Sequence, residues 1–389
     1  MGKNRKLYLA DYCLTPHVNI PNAGILCEES KIIGIGGASA FSLDEPGLEV
    51  IDVTDSYAIP GLIDSHIHGG GSFDTELALL PGQDLKNLSA HLASRGVTSF
   101  LPTLVSMPRS AMVKTVARLV EMMGQPMPGA VPCGLHLEGP FINVHKCGSQ
   151  NPDACVDIDF GYFQELIDAG GGKIKIVTFA PELENSEKLI GIMLDNGIIP
   201  SMGHTLANAE DALRAIDAGA RRCTHLFNGF PPFHHRISSI TDVVLSRNDV
   251  SVEVILDGAH LEPRIVDITA RIKPNDKVIG VSNSIQFEEG QNPNLFSRDG
   301  KIYTAGGIMA GTAMTLDTGW IHLRTYSRMP GNLAAACFTS NPALDLGLIT
   351  RGELSPGKRA DITFFDSATN QVSMTISNGI MVYKAAEPQ

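Results

Sequence analysis

The sequence predicts an α/β protein: a (β/α)8 TIM barrel with a small β-sandwich domain formed by the N- and C-terminal segments. In the middle of the chain, eight short apolar runs alternate with segments of helical periodicity. Both ends of the chain instead carry short β-rich runs separated by turn residues. Eight strand–helix units are typical of a barrel, whereas a doubly wound sheet, the structural alternative, usually has fewer. We therefore expect a β segment at 1–58, a barrel at 59–342 and a second β segment at 343–389.

The two terminal segments supply the predicted small domain. In the N-terminal segment, β-rich runs bounded by Pro, Asn, Gly and Ser lie at 6–10, 23–27, 31–35 and 49–53. Similar runs in the C-terminal segment lie at 362–365, 372–377 and 381–383. Because the two segments share this pattern, we expect them to pair into one domain beside the barrel.

The barrel is predicted from its alternating pattern. The expected strands are 61–65, 98–102, 134–138, 174–179, 198–203, 222–225, 252–256 and 278–282. The helical stretches between them include 82–95, 110–123, 186–196 and 207–218. The last stretch places apolar residues close to a 3.6-residue period and stops at Gly219, a residue type common just past a helix.

The composition indicates a globular protein. The 389 residues are 43% hydrophobic and 19% charged, with a formal net charge of −12. That charge argues against nucleic acid or an anionic membrane as the main partner, but a local cationic pocket can still bind an anionic small molecule. The N-terminus lacks the apolar core of a signal peptide, and seven cysteines without close pairs suggest reduced thiols. We therefore expect a cytoplasmic location.

One stretch gives the first indication of chemistry. It reads PGLIDSHIHGGG over 60–71, an apolar run that ends in two histidines and is followed by three glycines. Side chains at i and i+2 of a strand share a face, so His66 and His68 should point the same way. Neutral imidazoles bind Zn²⁺ and similar cations, so the pair is half of a candidate metal site. Alone, such a pair is more often two ordinary polar residues.

Other predicted strands end in residues that complete such a site. In a barrel the active site lies at the C-terminal ends of the strands. Polar residues end or follow strands three, five, six, seven and eight: Glu138, His204, His225, His260 and Asn283. Because a buried carboxylate without a partner is costly, Glu138 among histidines predicts a bound cation. The sequence therefore predicts a metal site at this end of the barrel.

The chain resembles the amidohydrolase superfamily and, within it, the N-acetylglucosamine-6-phosphate deacetylase family. The resemblance runs nearly end to end through PGLIDSHIHG, GVTSFLPTLVS, GLHLEGPFIN, FAPE, GHTLANAEDA, THLFNGFPPFHHR, DGAHL, GGIMAGTAMTLD and NPALDLGLITRGELSPGKRADITFFD. The first and last segments indicate only an amidohydrolase, whereas HLEGPF, GHT and THLFN with HHR are more specific. The resemblance implies metal-dependent hydrolysis of the N-acetyl group of an N-acetylhexosamine 6-phosphate, N-acetylglucosamine-6-phosphate first among them.

The resemblance also implies the identity of the metal ligands. The family's ligands match Glu138, His204 and His225. His66 and His68 match a pair that many amidohydrolases use for a second metal, so we expect one or two divalent metals per subunit. Histidine and carboxylate ligands suit Zn²⁺, our first expectation, and also Fe²⁺.

Substrate contacts follow from the same resemblance. Arg236, in the HHR motif, is expected to grip the sugar phosphate, because a guanidinium binds phosphate oxygens in pairs. In the family this arginine reaches into the neighbouring subunit's site, which implies a homodimer. The other expected substrate contacts are Ser149, Gln150, Asn228, Gly229, His260 and Met309.

The chain departs from the family at the expected proton-transfer residue. The family has an aspartate after strand eight, which accepts a proton from the attacking water and returns it to the leaving amine. Here Asn283 occupies that position, and a side-chain amide cannot do this at neutral pH. Losing acid–base assistance costs about 10²–10⁴-fold in rate. Two interpretations remain open: the residue was substituted to trap substrate, or the natural protein is a weak or inactive enzyme.

Gln150 is a second departure, because the family usually has a histidine there that helps to polarise the substrate carbonyl. The amide still donates a hydrogen bond but carries no charge. N-acetylgalactosamine-6-phosphate, or another N-acyl amino sugar, therefore stays open as the substrate. The remaining alternatives are a non-catalytic sugar-phosphate-binding protein and another amidohydrolase, such as an N-acyl-amino-acid hydrolase.

Overall fold

The computed structural model describes residues 5–15, 17–289, 295–298 and 301–386. Its N-terminal strands are β1 (Arg5–Leu14), β2 (Asn19–Glu28), β3 (Lys31–Gly37), β4 (Leu48–Val53) and β5 (Ser56–Pro60). β1 and β2 pair antiparallel, β2 continues to β3, and β1 pairs in parallel with β4 and β5. The four predicted strands are confirmed, and β5 is an addition that the sequence analysis missed.

The middle of the chain forms a nearly closed parallel barrel. Its elements are β6 (Leu62–Ile67), β7 (Gly69–Gly70), β8 (Phe73–Asp74), β9 (Val97–Val105), β10 (Val131–Pro132), β11 (Leu135–Glu138), β12 (Ile174–Phe179), β13 (Ile199–Met202), β14 (Arg222–Cys223), β15 (Ser251–Ile255) and β16 (Val278–Val281). The barrel strands are β6, β9 and β11–β16, each parallel to the next along the chain. The barrel returns on itself where the Asn283 N–H donates to the His66 carbonyl at 2.9 Å. All eight predicted barrel strands are confirmed.

Helices cover the outside of the barrel. They are α1 (Leu85–Ala93), α2 (Arg109–Met123), α3 (Phe160–Gly170), α4 (Ser186–Asp195), α5 (Ala209–Ala218), α6 (Ile240–Ser246), α7 (Pro263–Ile272), α8 (Leu316–Tyr326), α9 (Gly331–Ala336) and α10 (Ser340–Asp345). Short 3₁₀ turns lie at Ala38–Ala40, Val144–Lys146, Pro152–Ala154 and Asn275–Lys277. α5 begins two residues later than predicted, because Asn208 caps it in a reciprocal pair of hydrogen bonds with Asp211.

The last part of the chain adds a small sheet and then completes the β domain. β17 (Leu295–Arg298), β18 (Lys301–Thr304) and β19 (Met309–Gly311) form an antiparallel sheet that was not predicted. The final strands are β20 (Ile362–Asp366), β21 (Val372–Ser377) and β22 (Ile380–Lys384). Because β20 pairs antiparallel with both β5 and β21, the two ends of the chain form one eight-stranded sheet. The predicted fold class, a TIM barrel with a β domain built from both termini, is confirmed.

Apolar side chains form two main cores. The larger packs the barrel strands against the helices, and the smaller lies within the β domain around residues such as Ile25, Phe364 and Ile376. The buried polar side chains include several at the ends of the barrel strands, among them Glu138, His204 and His225. None of the helices in the described ranges is long and apolar enough to cross a membrane.

Candidate metal centre and substrate pocket

Three predicted site residues leave their strands through an unusual backbone conformation. His204 (φ 48°), His225 (φ 27°) and Asn283 (φ 51°) follow β13, β14 and β16 in the left-handed region. Residues other than glycine rarely adopt positive φ, and such positions cluster at functional sites. All three side chains line one pocket. The loops also approach closely, since a Cβ at Gly229 (φ 70°) would lie 3.1 Å from the His204 ring.

Glu138 and two histidines form the first candidate ligand group. The Oε1 atom of Glu138 lies 2.8 Å from Nε2 of His225 and 3.1 Å from Nε2 of His204. The two histidine Nε2 atoms lie 3.0 Å apart. One carboxylate oxygen and two ring nitrogens thus point at a common centre, with all three side chains buried.

His66 and His68 form a second group on the other side of the same carboxylate. Their Nε2 atoms lie 3.2 Å apart. Nε2 of His66 lies 3.5 Å from Oε1 of Glu138, and Nε2 of His68 lies 3.6 Å from its Oε2. Glu138 therefore belongs to both groups.

The hydrogen bonds of the ring nitrogens show that these residues fit a cation. Nδ1 of His204 lies 2.6 Å from the Lys146 carbonyl and Nδ1 of His66 lies 2.9 Å from the Glu253 carboxylate. Both partners only accept, so each Nδ1 donates, and a ring whose proton is on Nδ1 alone turns its Nε2 lone pair toward Glu138. Lone pairs that face a carboxylate and one another repel unless a positive charge lies among them. Histidine nitrogens with a carboxylate oxygen are a donor set of Zn²⁺ and Fe²⁺.

The electrostatics keep most of these groups in metal-binding protonation states. Burial lowers the pKa of His68 to about 4 and also lowers that of His225, so both rings are neutral. Burial opposes the charge of Glu138, but the surrounding histidines outweigh it and hold its pKa well below the usual range. Burial likewise opposes a charge on His66, but Glu253 and Glu138 raise its pKa.

The pocket beside these groups has a volume of about 350 Å³, within the range of small-molecule sites. Six of the seven predicted substrate-binding residues line it: Ser149, Gln150, Asn228, Gly229, His260 and Met309. The seventh, Arg236, lies on an exposed loop and does not line the pocket of its own chain. Among the described residues that line the pocket, there is no lysine or arginine.

Three of the lining side chains are held by specific contacts. Oε1 of Gln150 accepts the Ser106 N–H at 2.9 Å, while its buried Nε2 has no partner among the residues the structure describes. Oδ1 of Asn283 lies 3.2 Å from Nε2 of His68. Nδ1 of His260 lies 2.7 Å from Oδ2 of Asp257, which fixes the orientation of that ring.

The comparison with known proteins agrees with this geometry. The model of the amidohydrolase family matches residues 57–382. The chain belongs to the amidohydrolase family. Among amidohydrolases, it is 31% identical over 371 residues to the N-acetylglucosamine-6-phosphate deacetylase of Bacillus subtilis (strain 168), covering 91% of this chain and 93% of that relative. The resemblance inferred from the motifs is confirmed.

Two further relatives bear on the substrate of this amidohydrolase. It is 27% identical over 317 residues to the N-acetylgalactosamine-6-phosphate deacetylase of Escherichia coli O157:H7, covering 79% of this chain and 83% of that protein. A solved structure of an N-acetyl-D-glucosamine-6-phosphate deacetylase variant from Mycobacterium smegmatis, in complex with N-acetyl-D-glucosamine-6-phosphate, superposes with a TM-score of 0.88 at 25% identity. That match covers 97% of this chain and 99% of the other.

The structure of this amidohydrolase adds charged residues that the sequence analysis missed. Glu76 lines the pocket, where desolvation and the charges of Asp74 and Glu138 raise its pKa to about 7. Arg222 and Glu253 are fully buried beside the histidines. The available signal was a charged residue within an apolar strand, as in the SVEVI run of β15.

Proposed function

We propose that this amidohydrolase takes an N-acetylhexosamine 6-phosphate, with N-acetylglucosamine-6-phosphate first, and that its site is built to hydrolyse the N-acetyl group. The products would be the amino sugar phosphate and acetate. The observation that carries the proposal is the convergence of Glu138, His204 and His225 in one pocket with Gln150, whose Nε2 has no partner among the described residues. The names of the relatives support the same substrate class.

We propose that one divalent metal is held by Glu138, His204 and His225. A second would be held by His66 and His68 with Glu138. Zn²⁺ is the first candidate for both positions and Fe²⁺ the second. A cation held there would supply an activated water nucleophile and a Lewis acid for the acyl carbonyl.

The protein's own residues would orient the substrate and limit the rate. Nε2 of Gln150 has no partner among the described residues and can donate to the acyl oxygen, while Asn228, His260 and Met309 line the part of the pocket left for the sugar. Asn283 lies beside His68, where a carboxylate would exchange a proton with water and the leaving amine. Because its amide cannot do so, we propose that the present chain is slow or inactive.

We propose that the phosphate is bound across a homodimer. The pocket is lined by no cationic residue of the described chain, yet a phosphate dianion needs one. Arg236 lies on an exposed loop between Phe233 (59% exposed) and Ile237 (67% exposed), a composition suited to an interface. Arg236 would then reach the partner's pocket. A cytoplasmic location is part of this proposal, and the seven free cysteines agree with it.

The decisive experiment restores the carboxylate. Acetate release is measured for the present chain, for Asn283→Asp and for Asn283→Ala, each loaded with Zn²⁺ or Fe²⁺. The substrates are N-acetylglucosamine-6-phosphate, its galactosamine epimer and unphosphorylated N-acetylglucosamine. We expect Asn283→Asp to be about 10²–10⁴-fold faster than the present chain, because it regains acid–base assistance. Asn283→Ala is the matched control and should stay as slow as the present chain.

The other outcomes separate the alternatives. No acetate from either epimer with metal-replete Asn283→Asp ends the proposed activity. If calorimetry then shows that this inert variant binds the sugar phosphate, the chain is a non-catalytic binding protein, a candidate that Asn283 specifically favours. Faster release from the galactosamine epimer would instead change only the identity of the sugar.

A further inference from the structure

A buried network of charges lies beneath the candidate metal centre. Nε and Nη2 of Arg222, on β14, donate to Oε1 of Glu253, on β15, at 3.0 and 2.7 Å. Nη1 of the same arginine pairs with Asp345, the last residue of α10, and Nη2 also donates to Ser65 of β6 at 2.7 Å. Arg222 and Glu253 have no exposed surface, so buried polar contacts stabilise the two charges in place of water.

The other oxygen of Glu253 faces the metal centre. Oε2 lies 2.9 Å from Nδ1 of His66 and accepts the backbone N–H of His225 at 3.1 Å. A carboxylate held by an arginine can only accept, so Nδ1 of His66 must donate. This bond selects the tautomer whose Nε2 lone pair points toward His68 and Glu138.

The histidines of the centre differ in how they are anchored. His204 is held independently of Glu253, by the Lys146 carbonyl. Nδ1 of His68 is buried without a partner in the described part of the chain, so within this pair only His66 is held through its Nδ1. Glu253 contacts the other group only at the backbone N–H of His225, among the contacts described, and holds neither of its ligand rings. Loss of the contact with the His66 ring should therefore loosen the His66–His68 group much more than the His204 group.

We propose that Glu253 is a positioning residue for the second metal, and that Arg222 holds the Glu253 carboxylate within hydrogen-bond distance of His66. The proposal rests on the proposed metal centre but not on the proposed substrate. Its consequence is selective: Glu253 orients a ligand ring on the His66–His68 side, whereas it meets the other side only at the backbone N–H of His225 among the contacts described.

The experiment measures metal binding directly, with Zn²⁺ alone and no sugar phosphate. The stoichiometry is determined by elemental analysis and the affinity of each site by competition with a chelator. In Glu253→Gln we expect the second site to weaken about 10–100-fold, the usual effect of losing a partner behind a histidine ligand, with the first site unchanged. The double variant His66→Ala/His68→Ala gives the reference for a chain with one metal.

Asp361→Asn is the matched control, because it also removes one buried carboxylate. Asp361 is also buried and pairs with an arginine, Arg359 at 2.9 Å, but it lies in the β domain. We expect this variant to keep both sites at their original affinities. Glu253→Asp is the second test variant, because it keeps the charge for Arg222 while its shorter side chain withdraws from His66. Its second site should weaken as well, with the fold retained.

Three results would overturn the proposal. One is a measured stoichiometry of a single Zn²⁺ per subunit in the chain without substitutions. Another is a folded Glu253→Gln or Glu253→Asp chain whose second site keeps its full affinity. The third is an equal weakening of both sites, which would give Glu253 a merely structural role. The proposed deacetylation fails on a separate readout, acetate release, so the two failures are distinguishable.

Discussion

The side chain of Gln150 is fixed at one end and free at the other. Its oxygen accepts the Ser106 N–H, while its buried amide nitrogen lacks a partner among the described residues. An unsatisfied buried donor costs about 1–3 kcal/mol, which a bound acceptor would recover. The acyl oxygen of the proposed substrate is such an acceptor, so we propose that Gln150 provides an uncharged donor that is oriented in advance.

Replacing this donor should affect the chemical step more than binding. In the Asn283→Asp background, we expect Gln150→Ala to lower kcat for acetate release by about 10²-fold, as removal of one donor to a developing oxyanion does elsewhere. KM should change much less. Steady-state kinetics check this, with Gln164→Ala as the matched control, because Gln164 is exposed on α3, donates to Asp168 and does not line the pocket. An equal fall in kcat in both variants would contradict the assignment.

For single residues, the sequence predicts which side chains come together at the site but not which contacts hold them there. His204, His225 and Asn283 were found because the ends of parallel strands converge in a barrel, a property of topology alone. The hydrogen bonds that hold the site side chains in place cannot be predicted in this way. Glu253 meets His66 across 187 positions and Gln150 meets Ser106 across 44, and these pairings depend on register and on loop course that no local pattern encodes.

Among the elements, the short apolar strands between helices were predictable, whereas β5 and the small sheet of β17–β19 were not. The eight barrel strands are buried on both faces, so they stand out as continuous apolar runs. β17 is largely exposed and carries polar residues, so its sequence has no apolar run to mark it. β5 is fully buried but short and follows a turn at Asp55, which obscured its start.

The loop that carries Arg236 leads into α6, and a buried lysine holds the end of that helix. Nζ of Lys273, just past α7, donates to the carbonyls of Val244 and Arg247 at 2.8 and 2.6 Å. These are carbonyls of the last turn of α6, which have no partner within the helix. Burial lowers the pKa of Lys273 to about 8, from 10.5 in an exposed lysine.

This shift predicts how stability changes with pH. Between about pH 8 and pH 10.5, the unfolded chain holds the Lys273 proton that the folded chain releases. Stability therefore rises with pH in this window, relative to a chain without the group. We expect the free energy of unfolding of the present chain to increase relative to Lys273→Met between pH 7 and pH 9.5. Denaturant unfolding of both chains at both pH values checks this, and a constant or opposite difference would contradict it.

For the whole molecule, the two ends of the chain close the β domain and also support the barrel. The Gly61 N–H donates to the Asp361 carbonyl at 2.9 Å, directly before the first barrel strand. Thr363 donates to the Gly96 carbonyl at 2.6 Å and Thr375 to the Ala93 carbonyl at 2.8 Å, between α1 and the second barrel strand. The pairing of the two ends was predictable from their shared β pattern. Their contacts with the barrel were not, because they are formed by single polar residues.

Assembly is the last property of the whole molecule to test, because no lysine or arginine among the described residues lines the pocket. Subunit mixing tests the proposed homodimer in the Asn283→Asp background. One variant, Arg236→Ala, keeps its metal ligands, and the other, Glu138→Gln, keeps its arginine. Neither alone should release acetate at low substrate. If Arg236 acts on the partner's pocket, random mixing makes half of the dimers hybrid, each with one complete site, and activity returns to about a quarter of the parent value.

An arginine that acts within its own chain leaves every hybrid incomplete, so mixing would restore nothing. Mixing Arg236→Ala with the double variant Arg236→Ala/Glu138→Gln controls for effects of the exchange itself and should stay inactive.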